Sequence, residues 1–272
     1  MDLTFKDIAR KFTELKCCVI VPVFNNAGSV VHVVESVLQY TSNLIVVNDG
    51  STDGTDSLLE SAGLPVEVVN YRQNRGKGYA LKVGFERAVE LGYEYAVTMD
   101  ADGQHLASDL PAFATAIEQN RGALIIGSRS FNNENMPGRN GFANRFSNFW
   151  FTVQTGYNLP DTQTGFRAYP LGKIRSGWIL SYRYEAELEL LVFAAWGGVR
   201  LLPVDINVYY PPKEERVTHF HPVKDFARIS LLNTFLTLSA VFYGWPVTLC
   251  RKLFKLGKFV KLGKLSKRRG GE

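Results

Sequence analysis

The stretch Tyr95-Ala96-Val97-Thr98-Met99-Asp100-Ala101-Asp102-Gly103-Gln104-His105 passes from an apolar run straight into an acidic turn. A short apolar run bounded by turn residues predicts a buried strand. This one delivers two carboxylates, Asp100 and Asp102, at its carboxyl end. The same pattern recurs upstream. Cys17 to Val23 leads into Asn25-Asn26, Asn43 to Val47 into Asn48-Asp49-Gly50-Ser51, and Val66 to Asn70 lies shortly before Asn74. Between these runs, Ser29 to Tyr40, Asp53 to Ala62 and Gly78 to Gly92 carry helical spacing, with Ser29 at a capping position. Strands alternating with helices predict an α/β fold with a mostly parallel sheet and crossover helices. Ligands of such sheets bind beyond the carboxyl ends of the strands, so Asn25, Asp49, Asn74 and Asp100 should share one rim.

Downstream the pattern is less regular. Asp109 to Asn120, Arg145 to Thr155 and Glu185 to Ala195 read as helices, and Ala123 to Gly127 and Val199 to Tyr209 as strands. Ser130 to Gly141 and Leu159 to Tyr169 read as loops. The 272 residues allow one substantial domain with an appendage, and 46% hydrophobic content excludes extensive disorder. The expected division is a helical lead-in over 1–16, a catalytic domain over 17–228 and an appendage over 229–272. Met1 to Lys16 alternates charged and apolar residues and lacks the continuous apolar core of a signal peptide. Cys17 and Cys18 read as small buried residues and Cys250 stands alone, a usage that suits a reducing compartment.

The net charge of +5 divides unevenly. From Arg251 onward nine basic residues face one acid, a net of +8, and the first 250 residues carry −3. The body therefore has no nucleic-acid footprint, and its basicity is confined to the tail.

Two carboxylates one residue apart at a strand end can reach one hard cation, with Gln104 or His105 adding a ligand. Mg²⁺ and Mn²⁺ suit a few carboxylates completed by water and substrate phosphates, and such an ion would neutralise a diphosphate leaving group. Asp-x-Asp-Gly is also ordinary turn chemistry; its place after the fourth strand favours the site. Asp49, in Asn48-Asp49-Gly50-Ser51-Thr52-Asp53-Gly54-Thr55, can accept hydrogen bonds from a base or ribose, while Ser51 or Asp53 caps the next helix. Asn74-Arg75-Gly76-Lys77-Gly78 is a cationic turn into a helix N-terminus, suited to a phosphate or a plain helix start.

These segments, with Pro22-Val23-Phe24-Asn25-Asn26, Gly127-Ser128-Arg129 and Gln163-Thr164-Gly165-Phe166-Arg167, occur in an order that resembles the family 2 glycosyltransferases. The resemblance is specifically to the dolichyl- or polyprenyl-phosphate mannose/glucose synthase-like branch, over roughly Cys17 to Tyr210. The resemblance implies a GT-A fold, a nucleotide-sugar donor (UDP- or GDP-linked) and inversion at the anomeric carbon. It implies a nucleotide pocket lined by Pro22, Phe24, Asn25, Asp49, Asn74, Gly76, Lys77, Asp100 and Ala101. Asp100, Asp102 and Gln104 would hold Mg²⁺ or Mn²⁺ and the diphosphate. Phe24 and Asn26 stand where the family usually has Tyr and Glu, and Asn48 replaces a frequent Asp, which blurs the identity of the base. The Gln-x-x-Arg-Trp motif of processive polysaccharide synthases is missing.

A hydroxyl acceptor needs a general base, for which Asp161, Glu185 and Glu187 are candidates; Glu185 equally suits a helix N-terminus. A lipid phosphate needs positioning cations instead. Arg129, Arg139, Arg145 and Arg167 are available, although Arg139 and Arg145 are equally read as solvated charges. His219 and His221, near Arg216 and Lys224, resemble a loop that often closes over the donor in this family.

Ile229 to Cys250 holds no charged residue but contains Asn233, three threonines and Gly244-Trp245-Pro246. A single span would put the basic tail and the nucleotide-sugar site on opposite sides. An interfacial helix avoids this, with Tyr243 and Trp245 at headgroup depth. Lysines at 252, 255, 258, 261, 264 and 267 drift about 60° per step on a helix. They suit a loosely ordered polybasic tail on an anionic membrane surface better than nucleic acid, which lacks its aromatic platform here; a solvated tail is the bland alternative. The expected protein is a peripheral hexosyltransferase at the cytoplasmic face of a membrane, using a lipid-phosphate acceptor. The alternatives are transfer to a hydroxyl of a lipid-linked glycan or surface polysaccharide, and a non-catalytic sugar-nucleotide-binding scaffold.

Overall fold

The computed structural model describes residues 4–129, 138–209, 222–251 and 253; the side chains of 138–143, 176 and 222–227 also lie outside the description. Seven strands form one sheet in the order β3-β2-β1-β4-β6-β5-β7. The parallel half is β1 (Cys17–Val23), β2 (Leu44–Asp49), β3 (Glu67–Tyr71) and β4 (Tyr95–Thr98). Helices α2 (Val30–Leu38), α3 (Thr55–Ala62) and α4 (Lys77–Glu90) make the crossovers. Each element lies where the alternation of apolar runs and helical spacing predicts it.

Strand β1 shows why. Its alternate residues face opposite sides, as the two-residue strand period requires. Cys17, Val19 and Val21 pack with α1 (Phe5–Glu14), α2 and α5 (Leu110–Gln119), whereas Cys18 and Ile20 pack with α4 and α7 (Glu185–Gly197). The two cysteines are fully buried on opposite faces, as small core residues. The lead-in helix α1 is capped reciprocally by Thr4 and Asp7 and buries Ile8 and Phe12.

Two loop expectations are corrected. Leu159 to Tyr169 is not wholly a loop: Arg167–Pro170 forms β6, antiparallel to both β4 and β5 (Leu124–Arg129). The pattern reading misses it because a four-residue buried strand has too few residues to show a period. Ser130 to Gly141 gives way to helix α6 (Gly138–Thr155) before it ends; residues 130–137 lie outside the described residues. Strand β7 (Leu201–Ile206) completes the sheet, parallel to β5.

Beyond the sheet, α8 (Pro222–Ser239) begins ahead of the apolar stretch and runs through a π-helical turn (Ala240–Gly244) into helical residues 245–251. Leu232, Leu236 and Ala240 join the core beside α6 and α7. Buried Gln154 of α6 donates from Nε2 to Asn233 Oδ1 at 3.1 Å, so the polar residue inside the apolar stretch faces protein. The opposite face is bare: Leu231 is 73% exposed and Phe242 82%, with Phe235, Leu238 and Leu249 also exposed. Among the described residues no helix is long and apolar enough to cross a membrane.

Candidate active site

Strand order turns back beside β1, with β2 on one side and β4 on the other, and the crevice beyond their ends is where open α/β sheets take ligands. Strand β4 ends at Thr98, whose hydroxyl donates to the Gly165 carbonyl at 2.7 Å. The acidic turn that follows is held from several sides. Asp102 Oδ1 accepts from the Gln104 N–H (3.0 Å), the Asx turn its sequence allows. The Ser29 hydroxyl donates to the Ala101 carbonyl (2.6 Å) rather than capping α2. The Tyr209 N–H reaches the Gln104 carbonyl at 2.9 Å.

His105 is committed structurally. Its Nδ1 accepts the Asp100 N–H at 3.2 Å and its ring packs on Phe166 with centroids 5.1 Å apart. Burial pushes its pKa down to about 4, so the imidazole is neutral. The nitrogen that faces Asp100 is therefore already in use.

Lys77, the first residue of α4, brings Nζ to 2.6 Å from Asp100 Oδ1 and 3.1 Å from each carboxylate oxygen of Glu187. Burial disfavours ionisation of Asp100, but Lys77 above all outweighs it and holds the carboxyl below its ordinary range. Asp102 goes the other way, raised to about 6 by burial and then by the Asp100 charge. Burial raises Glu187 against the pull of Lys77. Gly165 presses its backbone on this group: a Cβ there would lie 2.8 Å from both Lys77 Nζ and Asp100 Oδ2.

The rim around this centre is braced by charge. Asp49 is 3% exposed and accepts from the Arg75 and Gly76 N–H groups at 2.7 and 2.8 Å. The Gly78 and Tyr79 N–H groups donate to the Tyr182 carbonyl. The turn that could cradle a phosphate thus has these four donors engaged within the protein. Gly76 has φ +99°, and a Cβ would strike the Tyr182 carbonyl, so only glycine fits. Asn25, at φ +52°, accepts the Thr52 N–H at 2.7 Å. Pro22 and Asn74 lie on the same stitched edge, Pro22 in β1 opposite Val47 and the Asn74 N–H against Gly50. Phe24 follows β1, half-buried.

Two arginines expected to meet a phosphate are used internally. Arg129 grips Asp161 through Nε (2.6 Å) and a terminal nitrogen (3.0 Å), and Asp161 is fully buried. Arg167, fully buried, donates to the carbonyls of Glu187 (2.6 Å) and Thr162 (2.9 Å). Arg145 is exposed on α6; Arg139 and Lys224 have side chains outside the described ones, and Arg216, His219 and His221 lie outside the described residues. Glu185 sits half-buried on the first turn of α7. Glu187, two residues on, enters the charged centre instead. A helix rotates successive residues by about 100°, and an apolar helix gives no amphipathic stripe that would tell which glutamate turns inward.

The acidic pair and the largely buried Lys77 thus lie together at the switch point of an α/β sheet. The family model for glycosyl transferase family 2 matches residues 18–187, and the chain belongs to that family. Among curated relatives, a UDP-N-acetylglucosamine–dolichyl-phosphate N-acetylglucosaminyltransferase of Methanococcus voltae is 29% identical over 70% of this chain and 84% of its own. A polyprenol monophosphomannose synthase of Mycolicibacterium smegmatis is 30% identical over 70% of this chain and 76% of its own. A crystal structure of glucosyl-3-phosphoglycerate synthase from Mycobacterium tuberculosis, in complex with Mn²⁺, UDP and phosphoglyceric acid, shares the fold. Its TM-score is 0.64 at 18% identity, over 88% of this chain and 83% of that one. The protein is a glycosyltransferase of GT-A fold.

Proposed function

We propose that this glycosyltransferase moves a hexose from a nucleotide-sugar donor to a polyprenyl- or dolichyl-type lipid phosphate, inverting the anomeric carbon. The observation that carries the acceptor class is the state of the carboxylates. A hydroxyl acceptor needs a free base; of the three candidates Asp161 is held by Arg129 and Glu187 by Lys77, which leaves Glu185, half-buried on the first turn of α7. A phosphate oxygen is already ionised and needs positioning alone. It attacks the anomeric carbon, the bond from that carbon to the diphosphate oxygen breaks, and the nucleoside diphosphate leaves. The names of the Methanococcus and Mycolicibacterium relatives, one a dolichyl-phosphate transferase and the other a polyprenol monophosphomannose synthase, point the same way.

Asp100 and Asp102, with Gln104 beside them, fit Mg²⁺ or Mn²⁺, because two carboxylates leave room for the waters and phosphate oxygens these ions favour. Burial and the neighbouring Asp100 charge raise the pKa of Asp102, and a cation held by the pair would act against both. Such an ion, when bound, offsets the charge of the leaving diphosphate. Asp49 keeps the 74–78 turn in place, and Arg145, exposed on α6, is available as a cation for the acceptor phosphate. The bare face of α8 and the basic tail dock the enzyme on the cytoplasmic surface of an anionic membrane, where Tyr243 and Trp245 are both exposed.

Transfer to a hydroxyl is the second reading, with Glu185 as base. Purified protein, a panel of UDP and GDP sugars, and short polyprenyl phosphates decide between them: product with hydroxyl acceptors alone would sink the lipid-phosphate reading. Asp100→Ala, folded but without metal-dependent turnover, is the expected control. Unchanged turnover would refute the metal assignment, and absence of turnover in the parent across the panel would favour a non-catalytic scaffold.

A further inference from the structure

We infer that Lys77 competes with the divalent cation for Asp100, and that Glu187 is the positioning residue that receives the lysine when the cation binds. The inference rests on the reading of Asp100 and Asp102 as metal ligands and adds two residues to it.

Lys77 Nζ lies 2.6 Å from Asp100 Oδ1, an oxygen that a cation held by Asp100 would also need. A dication on the same carboxylate would repel it, the side chains of Lys77 and Asp100 being only 15% and 28% exposed. The lysine therefore needs another seat, and the Gly165 backbone blocks one side of it. Glu187 provides that seat. Its two oxygens are each 3.1 Å from Nζ, and its side chain is 10% exposed. Oε1 lies within ion-pair distance of Nζ but has no hydrogen-bond donor aimed at it. A buried acceptor without a donor is costly. Released from Asp100, the ammonium can turn one proton onto Oε1 and satisfy it. Arg167, donating to the Glu187 backbone carbonyl at 2.6 Å, fixes that residue so that the lysine moves and the carboxylate stays. Before the metal arrives the one ammonium serves both carboxylates; afterwards each carboxylate would have a cation of its own.

The test is a titration of the full chain with Mn²⁺ and no nucleotide, following the electron paramagnetic resonance signal of the free ion. Outer-shell partners of a metal site typically alter affinity by about 10–100-fold, which sets the scale. Lys77→Met should bind Mn²⁺ about tenfold more tightly than the parent, because the competitor is gone. Glu187→Gln should bind about tenfold more weakly, because the lysine is left with Asp100. The double variant should return close to Lys77→Met, since without the lysine Glu187 has nothing to receive. Unchanged affinity in Lys77→Met, or a double variant as weak as Glu187→Gln, overturns the inference. Asp102→Asn separates the two layers: if it leaves Mn²⁺ binding intact, the metal reading falls and this inference with it. If it abolishes binding while the Lys77 and Glu187 variants match the parent, the inference alone fails. Should Glu187→Gln not fold, a crystal structure of the Mn²⁺ complex decides. Nζ should lie more than about 3.5 Å from Asp100 and within hydrogen-bond reach of Glu187; an intact Lys77–Asp100 contact beside bound Mn²⁺ refutes the exchange.

Discussion

Asp49→Asn should destabilise the ligand-free protein, which separates a turn anchor from a residue reserved for a nucleotide. The carboxylate is buried and accepts two backbone N–H groups, from Arg75 at 2.7 Å and Gly76 at 2.8 Å. Asparagine can offer its single oxygen to one of them, and its amide N–H then faces the other. That second donor is left unsatisfied, at a cost of about 1–3 kcal/mol. The retained bond also loses its charge assistance, roughly another 1 kcal/mol. The expected total is about 2–4 kcal/mol, which for a chain of this size lowers Tm by roughly 5–15 °C. Scanning calorimetry of the protein without donor or metal measures it. A Tm within about 2 °C of the parent would show that Asp49 is not holding the 74–78 turn. The same variant should weaken donor binding, because Lys77 is carried by that turn.

The remaining expectations concern charge and surface. Asp102, with its pKa raised to about 6, favours the protonated form when folded, so its contribution to stability is full below pH about 4 and is lost as pH rises through 6. Mn²⁺ binds the ionised form, so the Tm gain from saturating Mn²⁺ should be larger at pH 7 than at pH 5; equal gains would refute the role of Asp102 as a ligand. Arg129→Met leaves the fully buried Asp161 charge without its bidentate partner and should cost about 3–5 kcal/mol in denaturant unfolding. Adding Asp161→Leu should recover much of the loss; no recovery would mean that Arg129 acts through other contacts. Phe235→Ser with Phe242→Ser should weaken co-sedimentation with anionic vesicles while leaving Tm nearly unchanged, both side chains being exposed. Deleting Arg251 to Glu272 should weaken the same binding, and more so at low salt, where charge attraction is least screened. Vesicle binding unchanged by either alteration would remove the membrane argument.

How much could be read in advance follows from the range of the interactions involved. The four parallel strands, their helices and the acidic turn were legible because apolar period, capping residues and turn chemistry act over a few neighbouring residues. Strand β6 was not, since a strand of four residues wedged between β4 and β5 owes its form to its neighbours rather than to its own pattern. Asp161 and Arg129, and likewise Glu187 and Lys77, are 32 and 110 residues apart in the chain. No local spacing pairs them, and the sequence offered each as a free base or a free cation.

The Asp100–Asp102 pair at the end of β4 was determined by sequence alone, because a strand that stops at an acidic turn carries its carboxylates to the ligand-binding rim wherever the sheet is built. Tertiary structure decided the partners of those carboxylates. It turned Glu187 rather than Glu185 inward, buried Arg167 beneath the site and set Lys77 on Asp100. The reason is electrostatic: a buried charge must find its opposite, and which opposites lie within reach depends on how distant segments pack together.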